Sequence, residues 1–307
     1  MADRARFACA VASVARDEPL FATASQVSAW LLVEVNGPWG RDAVADSALG
    51  PHAPRVWREA MRRRGIRVIA IRRDLHHGEG PLRVVHVVTA RPGTVAGSAW
   101  RCEMEQLHDL VTVTEPLTSG HPLGPEWVED HDRYVLVCTN GRHDPCCATF
   151  GRPLVRGLRT SRWAPQIWEC SHIGGDRFAG NIVVLPDGLY FGRRDPASAE
   201  RLLAALDAGE LDLDGFRGRS SFRLTEQAAE HFVRTERGLR ALDAVRAIER
   251  VDDRTLRVHV TEGRVPAAYD VTIERTAVPA PTPLTCTGKD GLTYPAYRLV
   301  ALTPAPT

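Results

Sequence analysis

The amino-acid sequence predicts an α/β protein with a small α+β module at its C-terminal end. The chain has 307 residues, a length typical of about two compact units. Its hydrophobic share of 44% and charged share of 25% are those of a folded globular protein, which excludes a disordered or fibrous chain. Strand-like and helix-like segments alternate along the first two thirds of the chain, as expected for buried strands covered by helices.

An N-terminal α/β domain is expected over residues 1–125. A helix rich in arginine is predicted at 55–65, closed by Gly65, and buried strands are predicted at 30–35, 66–73 and 82–90, with a Gly-containing break between the last two. Proline and glycine accumulate in EPLTSGHPLGP at 115–125. This composition predicts a linker.

A second unit is expected over residues 131–210. It opens with a strand at 132–140, and the next helix has Asp144 as its N-cap and Pro145 as its first residue. A strand, a Gly-rich loop, a hairpin turning at 186–188 and a helix beginning after Asp195 follow. Residues 215–307 predict the α+β module, with a helix over 225–248 and strands at 255–262, 269–276 and 294–302.

Charge and hydropathy exclude two classes of partner. Thirty-nine Lys and Arg residues balance 38 Asp and Glu residues, so the formal charge of +1 gives no field that would favour nucleic acid. No run approaches the ~20 apolar residues of a membrane-spanning helix. The sequence leaves the oligomeric state open.

Cysteine usage points to a metal or redox site. Four of the seven cysteines, Cys138, Cys146, Cys147 and Cys170, fall within one stretch. Such clustering in a chain of this length favours a cytoplasmic site over disulfide bonds. Cys9, Cys102 and Cys286 are expected to be packing residues, and His143 a loop residue.

Cys138 ends the predicted strand, and Cys147 lies in the first turn of the helix that follows. The unpaired N–H groups and dipole of a helix start stabilise a thiolate. Cys146 would point about 100° away from Cys147 around the helix, so Cys147 is expected to face the loop. In ECSHIGGD, Cys170 and His172 would share one face if the strand continued, and Asp176 follows four residues after His172. Thiolate and imidazole donors suit zinc or an iron-sulfur centre, and the absence of any CxxC motif disfavours a zinc ribbon.

CTNGRHDPCC and WECSHIGGDRFAGNIVVLPDGLYFG resemble the sucrase/ferredoxin-like family, and EPLFATASQVSAWLLVEVNGPWGRDA is similar to its N-terminal half. The resemblance covers roughly residues 9–210. It implies a thioredoxin-like ferredoxin domain with a 2Fe-2S cluster, preceded by a degenerate, possibly thioredoxin-like domain. Cys138, Cys147 and His172 carry over as ligands. The family's second loop histidine falls at Asp176, so the fourth ligand is Asp176 or Cys170, with Cys170 favoured as the better donor.

The expected function is one-electron transfer to or from a protein redox partner, with no catalytic residues, so a redox carrier is favoured over an enzyme. Two alternatives remain open. A thiol-disulfide oxidoreductase would use Cys147 as nucleophile and Cys138 or Cys146 as the resolving thiol. A structural zinc module would serve partner binding.

Overall fold

A computed structural model of the protein describes residues 7–73, 81–89 and 97–306. The predicted break after residue 73 and the last residue of the strand predicted at 82–90 lie outside these ranges. The helices are α1 (Cys9–Ala15), α2 (Arg55–Arg63), α3 (Leu110–Val113), α4 (Glu115–Ser119), α5 (Pro145–Leu158), α6 (Pro196–Asp207) and α7 (Leu224–Arg237). The strands are β1 (Ala29–Glu34), β2 (Ile66–Arg72), β3 (Leu82–Val88), β4 (Ser98–Met104), β5 (Val128–Asp130), β6 (Tyr134–Cys138), β7 (Ile167–Cys170), β8 (Ile182–Leu185), β9 (Leu189–Phe191), β10 (Phe216–Arg219), β11 (Val245–Arg250), β12 (Thr255–Glu262), β13 (Val265–Pro279) and β14 (Thr293–Ala305).

Ten strands form one mixed sheet in the order β10-β9-β8-β6-β7-β2-β1-β3-β4-β5, which confirms the α/β class. The sheet repeats one arrangement twice. In the first half β1 and β2 are parallel, and β3 and β4 add antiparallel strands beyond β1. In the second half β6 and β7 are parallel, and β8 and β9 add antiparallel strands beyond β6. The segments predicted as an N-terminal domain and a second unit therefore share a continuous sheet.

The two halves meet where β2 and β7 pair antiparallel, at Ile71 with Cys170 and Arg72 with Glu169. Arg72 Nη2 lies 3.0 Å from Glu169 Oε2, and Thr139 donates a second hydrogen bond to the same oxygen at 2.8 Å. Since all three side chains are buried or nearly so, this junction is a buried polar network inside the sheet.

The turns after the first strand of each half are similar in sequence. β1 ends at Glu34 and is followed by Asn36-Gly37, and β6 ends at Cys138 and is followed by Asn140-Gly141. Because the N-terminal half has a glutamate where the second half has Cys138, only the second half presents a thiol at this position.

Most predicted helices are confirmed, but one predicted helix is shorter than expected and the predicted linker contains a helix. The helix predicted over 225–248 ends at Arg237, because Gly238 adopts a left-handed φ of +64° and closes it, and Val245–Arg250 is strand β11. The predicted linker at 115–125 begins instead with α4. Pro116 stands in its first turn, Leu117 packs into the core, and Gly120 at φ +85° ends it.

The C-terminal module consists of α7 packed on the antiparallel sheet β11-β12-β13-β14. Strand β10, which lies after the boundary predicted at 215, pairs with β9 in the large sheet. The buried Glu230 carboxylate of α7 contacts Arg234 of the same helix and Arg219 of β10, each at 3.0 Å, and so joins the module to the large sheet. Within the described ranges, no helix combines the length and apolar character needed to cross a membrane.

His231 of α7 makes stability depend on pH. Its ring stacks on Phe21 with centroids 4.0 Å apart, and Nδ1 is buried without a hydrogen-bond partner among the described residues. Burial lowers the pKa of His231 from 6.5 to about 4, against the opposing charge of Glu230. Between these pH values the unfolded chain binds more protons than the folded one, so stability falls as pH falls from 6.5 toward 4.

We expect His231→Phe to remove part of this loss of stability at low pH, because phenylalanine keeps the stacking on Phe21 and binds no proton. Relative to the variant, the natural protein should lose about 2 kcal/mol of unfolding free energy between pH 7 and pH 4.5. Urea unfolding of both proteins at several pH values measures the difference. Parallel pH profiles would show that His231 does not titrate in this way.

Candidate metal centre

The first two predicted donors meet where β6 ends and α5 begins. Cys138 is the last residue of β6, and the sulfur atoms of Cys138 and Cys147 lie within 4.8 Å of each other. The helix starts as predicted, because the Asp144 side chain accepts a hydrogen bond from the Cys146 N–H at 2.9 Å. Helix α5 approaches the strand closely at Gly151, where an added Cβ would lie 2.1 Å from the Cys138 carbonyl oxygen.

His172 and Asp176 belong to the loop that follows β7. Gly174 and Gly175 have φ angles of +98° and +83°, which only glycine adopts easily. The loop folds around the buried guanidinium of Arg217, which donates to the Gly174 carbonyl at 3.0 Å. A Cβ on Gly175 would lie 2.4 Å from this guanidinium, so the glycine pair makes room for Arg217.

Four of the five predicted ligands come together. Cys147 Sγ lies 4.0 Å from His172 Nδ1 and 3.6 Å from Asp176 Oδ1. His172 Nδ1 lies 2.9 Å from Asp176 Oδ1. Cys138, Cys147 and His172 have donor atoms that all lie within 4.8 Å of one another. The result is a pair of sulfur donors beside a pair formed by one nitrogen and one oxygen.

Cys170, the favoured fourth ligand, is not in this donor group of the described residues. It pairs in register with Cys138 and is fully buried in the hydrophobic core. The expectation that Cys170 and His172 share a strand face fails because β7 stops at Cys170. Ser171 turns to bond Ala70 of β2 through both its N–H, at 2.8 Å, and its hydroxyl, at 3.1 Å, and His172 leaves the sheet.

His143, expected to be a loop residue, lies against the site. Its ring stacks on that of His172 with centroids 3.7 Å apart, and its donor atoms group with those of His172 and Asp176. Its Nδ1 lies 3.3 Å from the carbonyl oxygen of Arg41, so the loop after β1 helps to hold it. In the sequence, only the position of His143 between Cys138 and Cys147 points to a place at the metal centre. Its contacts could not be predicted, because they depend on pairing between distant segments.

The donors shift one another's pKa values. The hydrogen bond from Cys147 holds the pKa of Cys138 well below its usual range despite burial, and the same bond, with burial, raises the pKa of Cys147. Burial opposes charge on His172, but hydrogen bonds with Asp176 and Cys138 outweigh it and raise its pKa to about 9. Burial likewise opposes charge on Asp176, yet the hydrogen bond from His172 lowers its pKa. A cation bound here would displace protons from Cys147 and His172.

A cleft of about 430 Å³ leads from the surface to the site. It is lined by both halves of the sheet, the first contributing Arg41 and Arg67 and the second His143 and His172. Arg67 also donates to the His172 carbonyl at 2.9 Å. The sulfur donors are buried, and the imidazole of His172 is 21% exposed, so His172 is the donor that is nearest to solvent.

Comparison with known proteins supports the resemblance in sequence. The chain is 26% identical over 102 residues to Altered inheritance of mitochondria protein 32 of Candida glabrata, covering 29% of this chain and 33% of that protein. It is 28% identical over 121 residues to the protein of the same name from Eremothecium gossypii, covering 35% and 36% of the two chains. It thus spans about a third of the relatives it matches.

No solved structure was found to match the chain. The family model described as sucrase/ferredoxin-like matches residues 20–218, which include both halves of the large sheet and every donor of the metal centre. The match extends over more than half of the chain, and the protein therefore belongs to the sucrase/ferredoxin-like family.

Proposed function

We propose that the protein transfers single electrons and carries a 2Fe-2S cluster on Cys138, Cys147, His172 and Asp176. The observation that carries this proposal is the close approach of Cys138, Cys147 and His172, whose donor atoms lie within 4.8 Å of one another, with Asp176 Oδ1 2.9 Å from His172 Nδ1. Two bridged irons need two protein ligands each, and mixed cysteine and histidine ligation is known for such clusters. The family to which the chain belongs supports the same assignment.

The four donor residues suit a 2Fe-2S cluster in their chemistry as well as in their number. Thiolates are soft donors that suit iron-sulfur centres, and the depressed pKa of Cys138 keeps one thiolate ready. When bound, the cluster supplies a one-electron redox couple. His172 ligates as a neutral imidazole, which lessens the negative charge of the donor set compared with four thiolates. Arg217 holds the loop that positions His172 and Asp176.

The fold of the second half supports the thioredoxin-like assignment. Its four strands have the order β7-β6-β8-β9, with the parallel pair β6 and β7 joined through α5, and α6 follows β9. The N-terminal half has the same strand order without the thiols, which supports its interpretation as a degenerate copy.

Electron exchange would take place through the cleft at His143 and His172, where a protein redox partner can approach the buried donors. We propose a carrier with no substrate of its own. All seven cysteines are free, which favours a reducing compartment such as the cytoplasm.

Metal and sulfide analysis tests the proposal. Protein purified without oxygen should contain about two iron atoms and two acid-labile sulfides per chain and should be coloured. Colourless protein without iron or sulfide, obtained after anaerobic reconstitution as well, would refute the cluster.

A zinc site is the second candidate, favoured by the close approach of Cys138, Cys147 and His172 within 4.8 Å. Two cysteines and one histidine with an open fourth position are a known zinc set. A protein that contains zinc but no iron at this centre, and that loses this zinc in Cys138→Ser, would support the zinc site. The thiol-disulfide alternative is disfavoured, because the sulfur atoms of both Cys138 and Cys147 are buried, whereas reactive cysteines are partly exposed.

The fourth ligand can be identified by substitution. Asp176→Ala should lower iron content at least about tenfold, because the carboxylate contacts both Cys147 and His172. Asp176→His should keep the iron and raise the reduction potential, since a neutral imidazole replaces a negative ligand. Iron analysis and redox titration provide the measurements.

Cys170→Ala and His143→Ala serve as matched controls, and both should retain iron. Loss of iron in Cys170→Ala together with full iron in Asp176→Ala would assign the fourth position to Cys170. Loss of iron in His143→Ala alone would assign the fourth position to His143.

A further inference from the structure

A second group of thiols lies on the opposite side of the start of α5. The donor atoms of Cys9, Asp144, Cys146 and Cys286 all lie within 4.8 Å of one another. Cys286 Sγ lies 3.4 Å from Cys146 Sγ and 3.5 Å from Cys9 Sγ. Cys9 Sγ lies 3.7 Å from both carboxylate oxygens of Asp144.

These spacings are those of ligands around a single ion. For zinc-sulfur bonds of about 2.3 Å, tetrahedral geometry places sulfur atoms about 3.8 Å apart. The observed sulfur separations are slightly shorter, and a cation entering the group would need only small outward movements. The first centre differs in its donors, because it offers two thiols with His172 and Asp176 rather than three thiols with one carboxylate.

The surroundings hold these donors in place. Cys9, Cys146 and Asp144 are at most 2% exposed, and Cys286 is half-buried. Asp144 accepts backbone hydrogen bonds from Cys146 at 2.9 Å and from Cys286 at 2.8 Å, which orients its carboxylate. Each oxygen keeps a lone pair for a further bond. A carboxylate fixed by hydrogen bonds is typical of metal ligands.

We infer that Cys9, Cys146 and Cys286, with Asp144, form a structural site for one zinc ion. Three thiolates and one carboxylate form a closed four-ligand set, and soft sulfur donors select zinc over hard cations. Binding is not a redox step: the three thiols release their protons to solvent as the zinc-sulfur bonds form. The three thiols are not bonded to one another, because even the 3.4 Å between the Cys146 and Cys286 sulfur atoms exceeds the ~2.05 Å of a disulfide.

The site joins three distant parts of the chain. Cys9 begins α1, Cys146 lies in the first turn of α5, and Cys286 lies in the segment between β13 and β14. Cross-linking segments so far apart in sequence restricts the unfolded chain strongly. Because Cys147 is the next residue after Cys146, the zinc ion would also fix the helix start that presents Cys147 to the electron-transfer centre.

Zinc analysis of the full-length chain and its variants tests the site independently of the cluster. The natural protein should contain about one zinc per chain, and so should Cys138→Ser, which removes only the first centre. Cys9→Ser and Cys286→Ser should contain less than about a tenth of this amount. Cys102→Ser, at a buried cysteine outside both donor groups of the described residues, is the control and should keep its zinc.

Cobalt provides a second readout. Replacement of zinc by cobalt(II) should give sulfur-to-cobalt charge-transfer absorption, which Cys286→Ser should reduce to less than about a tenth, in step with its loss of metal. Asp144→Asn keeps an oxygen for the helix cap and should fold but bind zinc at least about tenfold more weakly.

Three results would overturn the inference. Folded Cys9→Ser and Cys286→Ser proteins that keep a full zinc ion would exclude these ligands. Zinc lost from Cys138→Ser but kept in Cys286→Ser would place the ion at the first centre. A disulfide among Cys9, Cys146 and Cys286 in freshly isolated protein, detected by peptide mass analysis without reductant, would replace the metal site with a redox pair.

Discussion

Cys138→Ser should yield a folded protein that holds no iron and has no visible absorption. Cys138 supplies the thiolate with the most depressed pKa in the donor group, and its sulfur is buried between Cys147 and His172. A serine hydroxyl in this position does not ionise near neutral pH and binds iron poorly. We expect iron content below about a tenth of that of the natural protein, measured after anaerobic reconstitution of both.

Cys102→Ser is the matched control for this experiment. Cys102 is equally buried but lies on β4, outside the donor groups of the described residues, so its variant should keep iron and colour. Iron and colour retained in Cys138→Ser would contradict the assignment of this sulfur as a ligand.

Gly151→Ala should disrupt the metal centre although residue 151 carries no donor atom. The new Cβ would lie 2.1 Å from the Cys138 carbonyl oxygen and 3.1 Å from its carbonyl carbon, and a backbone atom cannot rotate away as a side chain could. Helix α5 must therefore move away from β6, which separates Cys147 from Cys138. We expect a loss of about 1–3 kcal/mol in unfolding free energy and at least about tenfold less iron.

Arg152→Ala tests whether any alanine in α5 has this effect. Arg152 follows Gly151 in the helix and is exposed, so its replacement should change neither iron content nor stability by more than about 0.5 kcal/mol. Iron analysis and urea unfolding of the two variants give the comparison. If Gly151→Ala matches Arg152→Ala in both measurements, the close contact does not position Cys147.

The local parts of the site could be predicted from the sequence. A strand ending at Cys138, a helix beginning with Asp144 and Pro145, and a glycine pair between His172 and Asp176 are short-range patterns with known geometry. The opposite orientations of Cys146 and Cys147 follow from helix periodicity alone.

The remaining features depend on contacts between distant segments. Cys170 is favoured from the sequence as the better donor, but its position depends on where β7 ends, and Ser171 bonds Ala70 of a strand a hundred residues earlier in the chain. The same limitation explains why Cys9 and Cys286, assigned to packing, meet at the start of α5. The glycine pair folds around Arg217, which comes from β10, and this contact too joins distant segments.

Long-range pairing also explains the architecture that local patterns missed. The junction of β2 with β7 joins two segments that look like separate units in sequence, and Arg72 and Glu169 form a buried ion pair across it. Through this junction the loop after β1 reaches His143 and lines the cleft, so the N-terminal half shapes the metal centre although it supplies none of the proposed ligands.

Electron paramagnetic resonance of the anaerobically purified protein, reduced with dithionite, shows whether the chain carries the proposed cluster. A 2Fe-2S cluster held by Cys138, Cys147, His172 and Asp176 predicts a signal from about one unpaired electron per chain, absent before reduction. The spectrum should change shape in Asp176→His and stay the same in Cys170→Ala. A reconstituted protein that gives no signal and contains zinc in place of iron at Cys138 would contradict the account.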